Sequence, residues 1–556
     1  MHRAPCCLLL AVLLAASTAC SRQPADSGPV VAASATTPAA QRIRADVQAL
    51  ADDAMQGRLT GTPGFELAAR HVAAEFARIG LQPAGDNGTW FQQVPLLRAV
   101  RELEGAALVI ERDGGSIALV PVQDFLPGLN YDRPEHSLRA AASFVGHGVH
   151  APELGHDDFA SVQVRGRIAV VLSGAPARFG NDQRAFHSST SHKLRMLAER
   201  GAVGAVLLNS AGHESRAPWS RVARTAGMPG MRLRGADGRG IDTFPLLQAV
   251  AAVGAASTDA LLAGSGYTAA SLQAAGEGGT LPVFDLPGTL LLAGRTRIEP
   301  LESRNVVALL PGSDPALAAQ HVVYTAHLDH VGIGPEVGGD RIYNGALDNA
   351  LGVAIMLEAA RELAASTPRP RRSMLFVAVT AEEQGLLGAE WFATHPTVPA
   401  ASLVANINVD MPVLLAPSRD VVPIGVEHSS LKAALEAAAA DVGVPLSPDP
   451  APAEVVFVRS DQFAFVRAGI PAVYLTGGIQ AAQGSGIDPA AARLAFLRDC
   501  YHQPCDDLSQ PIQYDDAARL ARLNARIGQL VGDAEQPPRW NEGNFFGERF
   551  GQRVEP

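Results

Sequence analysis

Charged residues are scarce in this chain, and the basic ones form no stripe or cluster. Of the 556 residues, 18% are charged, and the formal net charge is −11 at pH 7. Proteins that bind nucleic acids carry a basic patch for the phosphate backbone, so this composition argues against that class of partner. Hydrophobic residues make up 47% of the chain, which is ample for large cores, and the length indicates two or more structural units.

Cysteine is also scarce, with five residues in the whole chain. Cys6 and Cys7 lie in an apolar N-terminal segment and Cys20 follows it, which leaves Cys500 and Cys505 as one close pair. No second pair accompanies them, and this argues against a zinc site built from cysteines. In an exported protein their short separation predicts a disulfide bond.

The N-terminal apolar run is too short to span a membrane. Residues 6–16 are apolar, follow a weakly basic start and precede the small residues Ser17, Thr18 and Ala19. This pattern resembles a bacterial lipoprotein signal, so we expect residues 1–19 to be a signal peptide and Cys20 to carry a lipid that attaches the protein to a membrane. The protein is then exported, either as a periplasmic or outer-membrane-anchored lipoprotein or, alternatively, in secreted form. Residues 20–40, rich in Ala, Ser, Pro and Thr, are expected to form a disordered tether.

Three short apolar runs predict buried strands at residues 322–326, 374–380 and 403–409, with a helix at about 350–365 between the first two. The order strand, helix, strand indicates an α/β fold with a parallel sheet, in which ligands bind at the carboxyl ends of the strands. One imidazole and several carboxylates follow these ends: His327, Asp329, Glu382, Glu383 and Asp410. So many carboxylates would repel one another without a cation, and the pattern therefore predicts a metal centre.

Residues from about 100 to 297 have a different pattern, dominated by short β-like runs. The run Gly166-Arg167-Ile168-Ala169-Val170-Val171 is the most recognisable of them and resembles part of a protease-associated domain. We therefore expect an inserted, β-rich protease-associated domain here. A parallel-sheet pattern restarts at residues 305–310, and the tail from residue 536 onward is expected to be irregular.

Five motifs in order give a specific resemblance. They are His327-x-Asp329, Gly345-Ala-x-Asp348-Asn349, Glu382-Glu383-x-Gly385-Leu-x-Gly388, Asn408-x-Asp410-Met411 and Tyr501-His502-x-Pro504. Together they resemble the co-catalytic zinc exopeptidases, a family that includes bacterial leucyl aminopeptidases, aminopeptidase Y, glutamate carboxypeptidase and the catalytically inactive transferrin receptor. The match extends from about residue 304 to 531, and the turn at residues 57–62 matches the N-terminal part of the family.

The resemblance implies a three-layer fold with a mostly parallel central sheet and two zinc ions. One ion would be held by His327, Asp348 and Asp410, and the other by Asp348, Glu383 and His502, so that Asp348 bridges them. Glu382 would be the general base, and the Asp329 side chain would accept the second ring N–H of His327. Tyr501 is placed either to help hold an oxyanion or to pack beside the ligand His502, and the Asp348–Asn349 peptide bond is expected to be cis.

The expected activity is that of an aminopeptidase acting on peptide or protein substrates. A carboxypeptidase or dipeptidase of the same family and a non-catalytic, receptor-like binding protein are the alternatives, with a one-zinc glutaminyl cyclase less favoured. The complete ligand set argues against the receptor-like alternative. Gln462 stands where relatives often have His, and we expect this difference to affect substrate contacts.

The expected domain order follows from these observations. It comprises a signal peptide (1–19), a tether (20–40), the N-terminal part of the peptidase domain (41–99), the inserted protease-associated domain (100–297), the catalytic domain (298–535) and a tail (536–556).

Overall fold

The computed structural model describes residues 35–215 and 218–551. The expected signal peptide and the lipidation site Cys20 lie outside the described residues. The strands are β1 (Gln82–Pro83), β2 (Phe91–Arg112), β3 (Gly115–Leu119), β4 (Phe125–Pro127), β5 (Glu135–Ala140), β6 (Ala142–Val145), β7 (His150–Ala151), β8 (His156–Asp157), β9 (Ile168–Leu172), β10 (Gly204–Leu208), β11 (Gly230–Leu233), β12 (Ala249–Val253), β13 (Val283–Asp285), β14 (Thr289–Leu310), β15 (His321–His327), β16 (Gly332–Val337), β17 (Asp340–Tyr343), β18 (Ser373–Val379), β19 (Leu403–Val409), β20 (Val421–Ile424) and β21 (Ala472–Gly477). The α-helices are α1 (Pro38–Leu50), α2 (Pro63–Ile79), α3 (Asn181–Ser188), α4 (Thr190–Glu199), α5 (Ala211–Glu214), α6 (Trp219–Arg224), α7 (Thr258–Leu262), α8 (Ala269–Glu277), α9 (Leu351–Ala365), α10 (Leu387–Thr394), α11 (Leu431–Val442), α12 (Gln462–Arg467), α13 (Pro489–Asp499), α14 (Tyr514–Asp533) and α15 (Phe545–Phe550).

Within the described residues the main sheet has eleven strands. Eight of them follow the order β11-β2-β14-β18-β15-β19-β21-β20, and β1, β3 and β5 pair alongside. Strands β18, β15, β19 and β21 are parallel to one another, whereas β14 pairs with β18 in antiparallel fashion. The predicted α/β class is confirmed, but the sheet as a whole is mixed rather than mostly parallel. The reason is the long antiparallel ribbon of β2 and β14, which extends the parallel centre on one side.

Helices cover both faces of the parallel strands, and every residue of these strands is buried. Along β18, Met374 and Phe376 face the cluster that contains α1, α2, α9 and α14. The alternate residues Leu375 and Val377 face α10 and α12. Strand residues point to opposite faces in turn, so a fully buried strand needs a helical layer on each side. The result is a three-layer arrangement.

Helix ends follow the local sequence signals, with two departures from prediction. Helix α2 begins after Thr62, whose hydroxyl accepts from the Phe65 N–H, and ends at Gly80 in the left-handed conformation. Helix α1 begins at Pro38 and is capped by Thr37. Residues 38–40, which were predicted to be the end of the tether, are therefore helical. The tail is not wholly irregular, because α15 forms within it.

A second, six-stranded sheet lies between residues 125 and 285, in the order β13-β6-β9-β10-β12-β4. Strands β6, β9, β10 and β12 are parallel, and the Gly166–Val171 run forms the start of β9. Strands β2 and β14 pass through residues 100 and 297 without a break, so the insertion is joined to the main sheet by continuous strands. The protease-associated domain itself remains a prediction.

Among the described residues, none of the helices combines the length and the apolar composition that crossing a membrane requires.

Candidate metal centre

The parallel strands bring the predicted site residues to one edge of the main sheet. Strand β15 ends at His327, β18 ends just before Thr380, and β19 ends just before Asp410. Asp348 lies in the turn that enters α9, and His502 follows α13. Side chains separated by up to 175 positions in the chain, from His327 to His502, therefore meet at the carboxyl ends of β15, β18 and β19, where such sheets bind their ligands.

The first cluster joins His327, Asp348 and Asp410, all of them buried. His327 Nε2 lies 2.9 Å from Asp410 Oδ1 and 3.2 Å from Asp348 Oδ1. The three possible ligand atoms lie within 4.8 Å of one another. This is the set that the sequence predicts for one metal ion.

The second cluster uses the other oxygen of Asp348. His502 Nε2 lies 3.2 Å from Asp348 Oδ2 and 3.0 Å from Glu383 Oε2. His330, which the sequence analysis did not single out, also belongs here, because its Nδ1 lies 2.7 Å from Glu383 Oε1. Asp348 therefore offers one oxygen to each cluster, which is the geometry of a bridging ligand.

The turn that carries Asp348 is held from two sides. Asp506, fully buried, accepts hydrogen bonds from the backbone N–H of Leu347 at 2.8 Å and of Asp348 at 3.0 Å. Asn349 donates to the Val409 carbonyl and accepts from the Met411 N–H, which fixes the turn to the end of β19. The Asp348–Asn349 peptide bond is cis, as expected. These contacts fix the carboxylate between the two clusters.

Asp329 has a different contact from the one the resemblance implied. His327 Nδ1 lies 3.1 Å from the backbone carbonyl oxygen of Asp329, not from its side chain. The Asp329 carboxylate instead accepts from the backbone N–H of Glu382 at 3.0 Å and of Glu383 at 3.4 Å. The prediction was wrong because this carboxylate is directed toward the residues that follow β18. Asp329 therefore positions the two glutamates.

The adjacent glutamates have opposite electrostatic environments. Burial, together with Asp410 and Glu383, raises the pKa of Glu382 well above its usual range, although His327 opposes this. Burial acts upward on the pKa of Glu383 as well, but His502 and His330 outweigh it and lower that pKa to about 2. Glu383 is thus an anion facing two imidazoles, whereas Glu382 is a group that readily accepts a proton.

The loop with His502 is closed by a disulfide between Cys500 and Cys505, as predicted, with Cα atoms 5.2 Å apart. Tyr501 lies against the His502 ring, with ring centroids 3.9 Å apart. Burial raises the pKa of the Tyr501 hydroxyl well above its usual range, and the negative charges of Asp348 and Glu383 add to this. The hydroxyl is therefore a protonated donor beside both clusters.

The inserted segment (residues 100–297) also contacts the loop that carries His502. Arg224 of α6 donates to the Gln503 side chain at 3.4 Å.

The donor set fits zinc. Imidazole nitrogens and carboxylate oxygens are the ligands that zinc takes. The first cluster supplies three of them and the second supplies four. The carboxylates also attract positive charge to this place: burial lowers the pKa of His502, but Glu383 and Asp348 outweigh it and raise that pKa to about 10. Asp461 adds a further fully buried carboxylate whose oxygens have no hydrogen-bond partner among the described residues.

Another group with metal-ligand spacing lies away from this edge. It joins Asp46, His71 and Glu75. Arg361 already binds both of its carboxylates, at 2.9 Å and 3.0 Å. We therefore interpret this group as an ion-pair network.

Gln462 lies in the protein interior. Its side chain is fully buried, accepts from Asn408 at 2.8 Å and donates to the Phe457 carbonyl at 2.6 Å. The expected effect on substrate contacts is therefore wrong: Gln462 fixes the start of α12 against β19.

Comparison with known proteins agrees with this geometry. Residues 305–527 match the sequence model of peptidase family M28. A segment of 116 residues is 39% identical to the "Probable zinc metalloprotease" of Pyrenophora teres f. teres and covers 20% of this chain and 23% of that protein. A segment of 248 residues is 28% identical to leupeptin-inactivating enzyme 1 of Streptomyces exfoliatus and covers 44% of this chain and 49% of that protein.

These matches span at most about half the length of the curated relatives. The structure resembles the aminopeptidase from Aneurinibacillus sp. strain AM-1 with a TM-score of 0.52 and 20% identity, over 90% of this chain and 98% of that one. This likeness shows the shared fold. The match of residues 305–527 to peptidase family M28 agrees with the resemblance of the five sequence motifs to the zinc exopeptidases.

Proposed function

We propose that the chain is an exported aminopeptidase that uses two zinc ions to hydrolyse the N-terminal bond of peptides. The observation that carries this proposal is the pair of donor clusters that share Asp348, with one carboxylate oxygen turned to each. His327 and Asp410 complete one cluster, and Glu383 and His502 complete the other. Bound there, the ions would lower the pKa of a shared water and polarise the scissile carbonyl.

The chain's own residues supply the proton transfers. Glu382 lies beside both clusters and takes the proton of the attacking water, then delivers it to the leaving amine. Asp329 holds the backbone of Glu382 in place. The Tyr501 hydroxyl donates toward the oxygen on which negative charge develops.

Zinc and export have separate support. The related sequence from Pyrenophora teres f. teres is named as a zinc metalloprotease, which supports zinc as the metal. The disulfide between Cys500 and Cys505 supports an oxidising compartment, as does the signal-like N-terminus with Cys20 as its lipidation site. Attachment to a membrane through that lipid, with peptides or proteins as substrates, is part of the same proposal.

Substrate panels separate the aminopeptidase from its alternatives. We expect purified protein to hydrolyse leucyl p-nitroanilide and peptides with a free N-terminus, and to leave the matched N-acetylated compounds intact. Liquid chromatography with mass spectrometry of the products identifies the bond that is cut.

The alternatives give different products. Release of the C-terminal residue from N-acetylated peptides would identify a carboxypeptidase, and cleavage confined to two-residue substrates would identify a dipeptidase. Formation of pyroglutamate from N-terminal glutamine would identify a cyclase. A protein that binds zinc but cuts none of these substrates would support the receptor-like alternative.

A further inference from the structure

Arg58 is a fully buried arginine that the metal clusters do not include. Its guanidinium makes four hydrogen bonds, all to backbone carbonyl oxygens. Nε donates to Leu328 at 2.9 Å, and Nη2 donates to Gly345 at 2.9 Å. Nη1 donates to both Leu50 and Asn344 at 2.6 Å. A buried cation whose four hydrogen bonds all end on backbone carbonyls holds the backbone around it in place.

Two of the loops it binds carry ligands of both clusters. Leu328 directly follows His327, and Asn344 and Gly345 lie just before Asp348. The guanidinium is thus the one side chain among the described residues that donates to both loops. Its planar fork sets the distance and angle between them, because the donor directions of a guanidinium are fixed.

The backbone at Arg58 strengthens the same connection. The Arg58 carbonyl accepts from the His330 N–H at 3.3 Å. Gly57 and Arg58 both have positive φ, at 65° and 51°. A Cβ atom on Gly57 would lie 2.3 Å from the Tyr343 carbonyl oxygen, so this turn packs directly on the strand that leads to Asn344. The residue is therefore held against both loops by its backbone as well as by its side chain.

Charge adds a second reason for a cation here. Burial lowers the pKa of Arg58 to about 10, and Asp506, Asp348 and Asp329 act in the opposite direction. At neutral pH the guanidinium therefore carries its positive charge behind the carboxylates. Removing that charge would increase the repulsion among them.

We propose that Arg58 is a positioning residue that sets the relative placement of the His327 loop and the Asp348 turn, and thereby the metal affinity of both clusters. The inference rests on the proposed zinc centre. In this proposal the turn at Gly57 and Arg58 supports the metal clusters without contacting substrate or metal.

Two substitutions test the inference. Arg58→Lys keeps the charge but has donors at one point only, and Arg58→Met removes both charge and donors. We expect each to weaken zinc binding by about 10-fold to 100-fold, the usual effect of removing a partner behind a metal ligand. Zinc affinity is measured by competition with a chelator at a temperature well below the melting transition. The visible spectrum of the cobalt-substituted protein reports the ligand geometry.

Arg372 provides a matched control. It is equally buried, and it donates to the carbonyl oxygens of Val531 and Ala534 and to the Gln320 side chain. It lies just before β18, at the opposite end of that strand from the metal clusters. Arg372→Met should lower the melting temperature as Arg58→Met does, yet keep the parental zinc affinity and cobalt spectrum.

The outcomes are distinct. Weaker zinc binding and an altered cobalt spectrum in the Arg58 variants, with neither in Arg372→Met, support the inference. Parental affinity and spectrum in Arg58→Lys, with only a lower melting temperature, overturn it, and this variant decides if Arg58→Met does not fold. A parent protein without zinc affinity would overturn the proposed function and this inference with it.

Discussion

Replacing Glu382 by glutamine should leave zinc binding intact and lower kcat by about 10²-fold to 10⁴-fold, the usual share of a general base. Glutamine keeps the shape of the side chain and removes its ability to take a proton. Glu382 is in neither of the two donor clusters that share Asp348, so the metal content should not change. The loss should appear in kcat rather than KM, because proton transfer belongs to the transition state.

Glu383→Ala is the matched comparison, since it alters the neighbouring residue of the same type. Glu383 faces His502 at 3.0 Å and His330 at 2.7 Å, so its loss should remove metal and activity together. Zinc content and kinetics of the two variants, measured side by side, decide between the roles. Zinc loss in Glu382→Gln with retention in Glu383→Ala would exchange the two assignments. Full activity of Glu382→Gln would refute the proposed mechanism.

Asp348→Asn should disrupt both clusters at once. The carboxylate turns one oxygen to His327 and the other to His502, whereas an amide offers a single oxygen. Removing a partner behind a metal ligand costs about 10-fold to 100-fold in affinity, so loss of a shared ligand should exceed about 100-fold. Zinc titration and kcat are the measurements.

Asp506→Asn is the control for this prediction. Asp506 is in neither cluster and supports the turn that carries Asp348, because it accepts hydrogen bonds from the backbone N–H groups of Leu347 and Asp348. Its substitution should give the smaller loss of about 10-fold to 100-fold. An Asp348→Asn protein that still holds two zinc ions tightly would contradict a bridging role.

Strands β15, β18 and β19 were predictable because a strand that is buried on both faces consists mostly of apolar residues and appears in the sequence as a short apolar run. Their ligands follow directly in the chain, so His327, Glu383 and Asp410 could be located without a structure. Asp348 and His502 came only from the family resemblance, since no periodicity places them beside the other three.

Other features depend on contacts that no local pattern carries. Arg58 acts on loops about 270 and 286 positions away, and an isolated arginine in a turn gives no sign of burial. Asp506 is one acid among several in its segment. Residues 305–310 were expected to form a parallel strand of the sheet, but they belong to β14, which is antiparallel to β18. An apolar run predicts a buried strand and does not show its direction in the sheet.

The central claim is that two zinc ions, held by clusters sharing Asp348, carry the activity. It is tested most directly by stripping the protein with a chelator and titrating zinc back while following hydrolysis of leucyl p-nitroanilide. We predict loss of activity on stripping, recovery with added zinc, and about two tightly bound equivalents at saturation. Full activity of the stripped protein would contradict metal-dependent hydrolysis, and saturation at one equivalent would contradict the two-zinc centre and favour a cyclase-type site.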